Sequence, residues 1–163
     1  MVACAPASVG FGCVLRGNLD AAADGDAAAL VEAIAAHVET NWSATSLEFV
    51  AFPGQRFDPP PGKSHVRVLI QGRPPLYTTH GAPGERITRQ RGALIAQCFV
   101  SVASVDSSLP ATQLAQDFRD LFHAQSVGAD PIDFEAANPS PIGEDGGFYQ
   151  VNVTIPFAYS ERH

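Results

Sequence analysis

Lysine is nearly missing from this 163-residue chain, because Lys63 is the single lysine among ten basic residues. Acidic residues are in excess, and the formal net charge is -7. Proteins that bind nucleic acid regardless of its sequence carry a basic surface that neutralises phosphates. The composition therefore argues against general nucleic-acid binding.

Cysteine pairs and targeting segments are missing as well. Cys4, Cys13 and Cys98 are an odd number without CxxC spacing, which argues against a disulfide framework and a zinc site. Residues 1–12 contain no lysine or arginine and are interrupted by proline and glycine, unlike a secretion signal. No apolar run reaches the length of a membrane span. We expect reduced thiols, a cytoplasmic protein and no membrane contact.

No nucleotide-binding motif is complete. Gly62, Lys63 and Ser64 match the end of a P-loop, but that motif needs a glycine five residues earlier and a helix afterwards. Phe57 occupies the glycine position, and a predicted strand follows. We therefore expect no nucleotide cofactor.

Catalytic and metal sites are not indicated either. The histidines are His37, His65, His80, His123 and His163. Because no two are four residues apart, surface or capping positions explain them better than metal coordination. Cys98 stands among apolar neighbours and is predicted to be a small buried hydrophobe. Asp133 and Glu135 fit the wet face of a strand, and residues 144–145 fit a turn. The prediction is a protein with no catalytic, cofactor-binding or metal-binding residue, and not an enzyme.

Apolar side chains are abundant, at 45% of residues against 17% charged. A chain of this length builds one domain with a proper core. It has few charges with which to coat a free surface. We infer a subunit whose surface is partly covered by partners.

Two helices are predicted. Asp26 is a plausible N-cap for the first, which should end near residues 40–42. Its apolar stripe is formed by Leu30, Ile34 and Val38. Ser108 is the predicted N-cap of the second helix, and Pro110 lies in its first turn. Its apolar stripe is formed by Leu114, Phe118, Leu121 and Phe122.

Short apolar runs and the alternation of apolar and polar residues predict the strands. They cover residues 47–52, 65–70, 94–102, 132–135 and 149–157. In the second of these, His65 and Arg67 lie opposite the apolar face. The strand at 94–102 is apolar on both faces and is predicted to be central. Prolines and glycines make residues 53–62 an irregular linker, and glycines place a turn at 143–147.

A stretch rich in proline, glycine and arginine lies between Gly72 and Gly92. Its prolines and glycines exclude a long buried element and predict a long hairpin or loop projecting from the sheet. Arg86, Arg89 and Arg91 concentrate positive charge there. They fit either a solvated loop or a docking surface, and we take them as candidate assembly-interface residues.

The elements follow the order α-β-β-β-α-β-β. This order predicts an α+β domain, residues 26–163, in which two helices pack on one face of a mostly antiparallel sheet. Residues 1–25 show no sustained periodicity and are predicted to form an extended or poorly ordered N-terminal arm.

Four segments resemble the tail terminator-like proteins of long-tailed bacteriophages and gene transfer agents. They are VRVLI (66–70), GAPGER (81–86), RGALIAQCFV (91–100) and DGGFYQVNVTIPF (145–157). The similarity covers residues 27–158. The arm and the proline-rich linker are additions that the family pattern does not account for.

That resemblance implies a hexameric ring, located in the tail or neck of the particle, that caps the tail tube and stops its growth. It implies assembly in the host bacterial cytoplasm, with three partners: copies of the chain itself, the tail tube protein and a head–tail connector protein. Genomic DNA would pass through an acidic lumen without specific binding. Another head–tail connector, a minor tail protein or a small ligand-binding domain are the alternatives.

Overall fold

The computed structural model describes residues 24–45, 49–59, 61–72, 76–77, 87–103, 108–128 and 132–162. The predicted arm, residues 1–25, lies outside this part except for its last two residues. Those two residues belong to the first helix, so the domain begins slightly earlier than predicted.

Two helices and eight strands make up the described part of the chain. The helices are α1 (Asp24–Asn41) and α2 (Ser108–Phe122). The strands are β1 (Val50–Ala51), β2 (His65–Gly72), β3 (Leu76–Tyr77), β4 (Ile87–Ser101), β5 (Ser126–Val127), β6 (Ile132–Phe134), β7 (Pro139–Asp145) and β8 (Phe148–Arg162). They form one sheet in the order β1-β2-β4-β8-β6-β5, with β3 paired to β4 and β7 paired to β8.

The sheet is built on two long antiparallel strands. β4 and β8 pair along their whole length, from Ile87 opposite Arg162 to Ser101 opposite Phe148. β2 pairs with the other side of β4, which confirms that this strand is central. Of the described pairings, only the short one between β1 and β2 is parallel. The predicted α+β class with a mostly antiparallel sheet is therefore confirmed.

Both helices cover the same face of the sheet, which we call the inner face. It carries alternate residues of the three long strands: Val66, Val68, Leu94, Ala96, Cys98, Val151, Val153 and Ile155. These residues share one core with the apolar stripes of α1 and α2. Because side chains alternate between the faces of a strand, the intervening residues form an outer face on which neither helix lies.

The helices follow their apolar stripes. Ile34 and Val38 of α1 are fully buried, and the last turn closes with a hydrogen bond from the Trp42 amide to the Val38 carbonyl. Asp26 lies inside α1, so the prediction that it is the N-cap was wrong. α2 begins at Ser108 as predicted, with Phe118 and Phe122 fully buried.

The sheet departs from the sequence-based prediction in its short strands. β3 and β5 have two residues each and were not predicted, because two residues carry no periodicity. β7 was missed because it contains two prolines, which strand interiors seldom hold. β4 begins at Ile87, well before residue 94, and of the strand predicted at 47–52 the described part shows only Val50–Ala51.

Candidate assembly surface

Neither described helix lies on the outer face of β2, β4 and β8. Its central rows are set by the strand register, with Leu69 opposite Ile95 and Ile95 opposite Thr154. Gln97 pairs with Asn152 in the next row. Leu69 and Ile95 are half-buried, and Thr154 is exposed. The centre of the face therefore presents branched aliphatic side chains among uncharged polar ones.

Three arginines flank this centre. Arg67 lies opposite Gln97, and Arg89 and Arg91 stand on the same face of β4 toward its start. All three are exposed, and within the described ranges none of them forms an ion pair. Unpaired arginines offer planar donor groups that can bind carboxylates bidentately.

This placement decides between the two alternatives predicted for the stretch between Gly72 and Gly92, a long hairpin or a loop. Arg89 and Arg91 lie in a regular strand that pairs with Ser160 and Ala158 of β8. They therefore belong to the hairpin formed by β2, β3 and β4 and not to an irregular loop. The sheet overrides the local proline and glycine signals because β8 is long enough to pair with this part of β4. Arg86 lies outside the described residues. Residues 76–77, in the connection between β2 and β4, pair with the start of β4.

Aromatic rings close one end of the outer face. His65 stacks on Phe99 with ring centroids 4.7 Å apart, and it meets Phe148 edge-on at 5.1 Å. Phe57, from the proline-rich linker, lies against His65 at 5.5 Å. The linker therefore covers this end of the face, which shows where the irregular segment of residues 53–62 makes its contacts.

His65 is buried in this cluster, so the prediction of a surface or capping histidine was wrong for this residue. Desolvation lowers the pKa of His65 from its ordinary value of 6.5, and the nearby charge of Arg67 lowers it further. A hydrogen bond of 3.3 Å between Nδ1 and the Lys63 carbonyl acts in the opposite direction. The neutral imidazole is therefore favoured among the rings.

The edges of the sheet are poorly suited to pairing with another strand. The terminal strands β1 and β5 are two residues long, which is too short to be a template. β7 contains Pro139 and Pro141, which lack amide donors, and a register irregularity before Gly143. Ile142 in that irregular region is 59% exposed. The outer face is therefore a better candidate for assembly than either edge.

The helix layer on the other side of the domain has the opposite charge. α1 contains Asp24, Asp26, Glu32 and Glu39 and has no lysine or arginine. Glu32 and Glu39 are exposed, as are Ala28, Ala29 and Ala36 between and before them. In α2 the one arginine, Arg119, bonds to the neighbouring Asp120 at 2.6 Å. The arginine-bearing sheet face and the acidic helix thus lie on opposite sides of one domain.

The remaining residues considered for chemistry are dispersed. Cys98 is fully buried on the inner face, and burial together with the charge of Asp117 raises its pKa to about 12. Asp133 accepts a 2.6 Å hydrogen bond from the Ser126 hydroxyl between β5 and β6. Lys63 is exposed at the end of the linker.

Over the described ranges, no three histidine, cysteine or acidic side chains come close enough to hold a metal ion. In the same residues, neither helix has the length and apolarity to cross a membrane.

Comparison with other proteins adds a likeness of fold. No family model and no curated protein matches the sequence. A solved structure superposes with a TM-score of 0.57 at 18% sequence identity, covering 78% of this chain and 94% of the other. The name of that protein describes no function. At this identity the match shows a shared fold and nothing about activity.

Sequence reasoning identified two of the three flanking arginines but missed Arg67 and the aromatic cluster. The alternation of residues 65–70 already placed His65 and Arg67 together on the non-core face. What the sequence did not reveal is that Phe57, eight residues before His65, returns to pack on it. Such a contact depends on the path of an irregular linker, which has no periodic signal.

Proposed function

We propose that this protein is a tail terminator of a long-tailed bacteriophage or gene transfer agent. It assembles into a ring, with six subunits implied by the resemblance, that caps the tail tube and offers a face to the head. Its partners are copies of itself, the tail tube protein and a head–tail connector protein. The resemblance of residues 66–70, 91–100 and 145–157 to such proteins motivates the proposal, and these segments contribute to the three long strands of the sheet.

The observation that carries the proposal is the one-sided packing of the domain. Both described helices lie on the inner face. The outer face keeps half-buried aliphatic side chains beside arginines that have no ion-pair partner among the described residues. A subunit that functions alone gains by covering or charging such a face, whereas an assembling subunit keeps it for neighbours. The net charge of -7 supports a lumen through which DNA slides without adhering, since phosphates meet like charge.

The experiment is complementation of particles that lack this protein. Without a terminator, tail tubes grow beyond their normal length and do not join heads, which electron microscopy of the lysate would record. Adding the purified protein should restore uniform tails and infectious or DNA-transferring particles. Tails of normal length in its absence would overturn the proposal.

Another head–tail connector or a minor tail protein remains the second candidate, because it would use the same fold and composition. Stoichiometry and position separate the two. Immunogold labelling at the head-proximal end of tails that have no head attached supports a terminator. Labelling on isolated heads supports a connector instead.

A further inference from the structure

We propose that the outer face of one subunit docks on helix α1 of a second copy, with Arg89 and Arg91 meeting Glu32 and Glu39. This inference rests on the proposed ring, and it names the two surfaces that join neighbouring subunits. It depends on copies of the chain alone and not on the tail tube or the head.

The charges of the two surfaces are complementary. Arg67, Arg89 and Arg91 are exposed on the outer face without an ion-pair partner in the described part of the chain. Two described carboxylates lie on that side at a distance from Arg91. Asp133, two strands away, accepts the Ser126 hydroxyl, and Asp145 lies opposite Phe148 at the other end of β8. α1 presents only carboxylates among its charged side chains apart from His37. Among the described residues, no ion pair neutralises either Arg67, Arg89 and Arg91 or Glu32 and Glu39.

The spacing of the charges also agrees. Arg89 and Arg91 are two residues apart on a strand, about 7 Å at the usual rise. Glu32 and Glu39 are seven residues apart on a helix, about 10 Å, and both lie on the side opposite the buried residues Ile34 and Val38. The flexible arginine side chain readily spans the difference, so both pairs can form in one docking geometry.

The uncharged parts of the surfaces are suited to close contact. The solvent side of α1 between and before its two glutamates carries Ala28, Ala29 and Ala36, all exposed. Small side chains let a helix approach a sheet closely. The aliphatic centre of the outer face, around Leu69 and Ile95, would receive them and be removed from water.

The position of the two surfaces determines the kind of assembly. α1 and the outer face lie on opposite sides of the domain, so one subunit can use both at the same time. A contact between two different surfaces is heterologous and does not stop at a dimer. Repeated with rotation, it closes into a ring, whereas a contact of the outer face with itself would give only pairs.

Charge reversal tests the contact directly. One variant carries Arg89→Glu and Arg91→Glu, and the other carries Glu32→Arg and Glu39→Arg. Each alone places like charges on both surfaces, and its native mass by light scattering should fall from the ring to the monomer at the same concentration. Mixed in equal amounts, the two variants should regain the mass of the wild-type ring, because each supplies the surface that the other needs.

The matched control is Glu144→Arg, which reverses an exposed charge at the end of β7 that lies opposite Tyr149, on the side of the sheet away from the outer face. It should leave the ring intact. Circular dichroism and melting verify that each variant is folded. If a folded reversal variant keeps the wild-type mass, or if the mixture stays monomeric, the contact is overturned.

Failure of the contact and failure of the proposed function give different results. A wild-type protein that is strictly monomeric at high concentration overturns both the ring and the contact. A wild-type ring that the reversals do not disturb overturns the contact alone. If the mixture restores the rings, the contact is supported. If particles that lack the protein nevertheless have normal tails, the terminator role is overturned while the contact still holds.

Discussion

At the scale of single residues, the tightest approach in the sheet is at Gly92. This residue pairs with Gly72 of β2 and Phe157 of β8. A Cβ atom placed there would stand 2.6 Å from the Gln71 carbonyl oxygen and would also collide with the Phe157 ring. The Phe157 side chain therefore occupies the space that a side chain at 92 would need.

Gly92→Ala should lower the free energy of unfolding by about 1–3 kcal/mol, the usual effect of overpacking a well-packed core. Chemical denaturation with a shared m-value measures this. Gly72→Ala is the matched control, because nothing lies within 4 Å of its added Cβ. It should be neutral or stabilising by about 0.4–1 kcal/mol through the unfolded state. Equal effects at both positions would contradict the close approach at Gly92.

His65 links stability to pH. Burial lowers the pKa of the folded-state imidazole below 6.5, so the unfolded chain binds more protons in the pH range below that value. The stability contributed by neutral His65 is therefore complete above about pH 6.5 and is lost as the pH falls through the lowered folded-state pKa.

We expect His65→Phe, which keeps an aromatic ring against Phe99 and Phe148, to flatten the fall in stability between pH 7 and 5. Urea midpoints across that range measure the slope. His123→Gln serves as the control, because His123 is exposed on the turn after α2 and the slope should stay as in the wild type. If stability depends on pH in His65→Phe as it does in the wild type, the aromatic cluster accommodates the protonated imidazole of His65 and the prediction is wrong.

At the scale of elements, α2 is the helix whose packing was predicted most fully from the sequence. Phe118 is fully buried and contacts the rings of Trp42 and Phe122, at 5.7 and 5.5 Å between centroids. Leu121, predicted to be in the core, is only half-buried. Its carbonyl oxygen lies 2.8 Å from the Nε2 atom of His37 in α1. α2 therefore contacts α1 through His37 and shares one core with the sheet.

Truncating Phe118 to alanine should cost about 3–5 kcal/mol, the range for a buried aromatic side chain. Because that is a large part of the stability of a small domain, the melting temperature should fall steeply or folding should fail. Leu109→Ala on the same helix is the control, since Leu109 is 69% exposed, and it should change stability by less than about 0.5 kcal/mol. A melting temperature for Phe118→Ala within a degree or two of the parent would contradict the orientation of α2.

The strands divide into those that local sequence specifies and those that their neighbours specify. β8 alternates over its length, and its inward residues from Val151 to Phe157 are buried as predicted. β7, with its prolines, pairs because β8 leaves an edge beside it. The early part of β4 is likewise a strand because β8 extends to Arg162. Pairing with a long neighbour here outweighs local propensity.

At the scale of the whole molecule, charge is divided between two sides. Arg67, Arg89 and Arg91 of the outer face and Glu32 and Glu39 of α1 are exposed and contribute little to folding of the isolated domain, about 0–1 kcal/mol each. Their contribution is expected on assembly, where they leave water and pair.

Replacing Arg86, Arg89 and Arg91 together by alanine should therefore leave the melting temperature of the monomeric domain nearly unchanged while tail joining fails. Complementation of tails lacking this protein measures the second effect. The comparison variant is Arg56→Ala with Lys63→Ala, which removes two exposed charges of the linker and should retain activity. Full activity from the triple variant would show that these arginines are only a solvated surface.

The sequence alone determined the class of the domain, both helices, the central strand and the inward residues of β8. These follow from the spacing of apolar residues within each segment, which repeats every 2 residues in a strand and every 3.6 in a helix because each element must bury one face. It also indicated Arg89 and Arg91 as surface charges. Only the tertiary structure decided that they stand on a strand beside Arg67, that Phe57 returns to bury His65, and that α1 lies on the far side. Those relations join residues distant in the chain, and they arise from strand pairing and packing, which have no local signal.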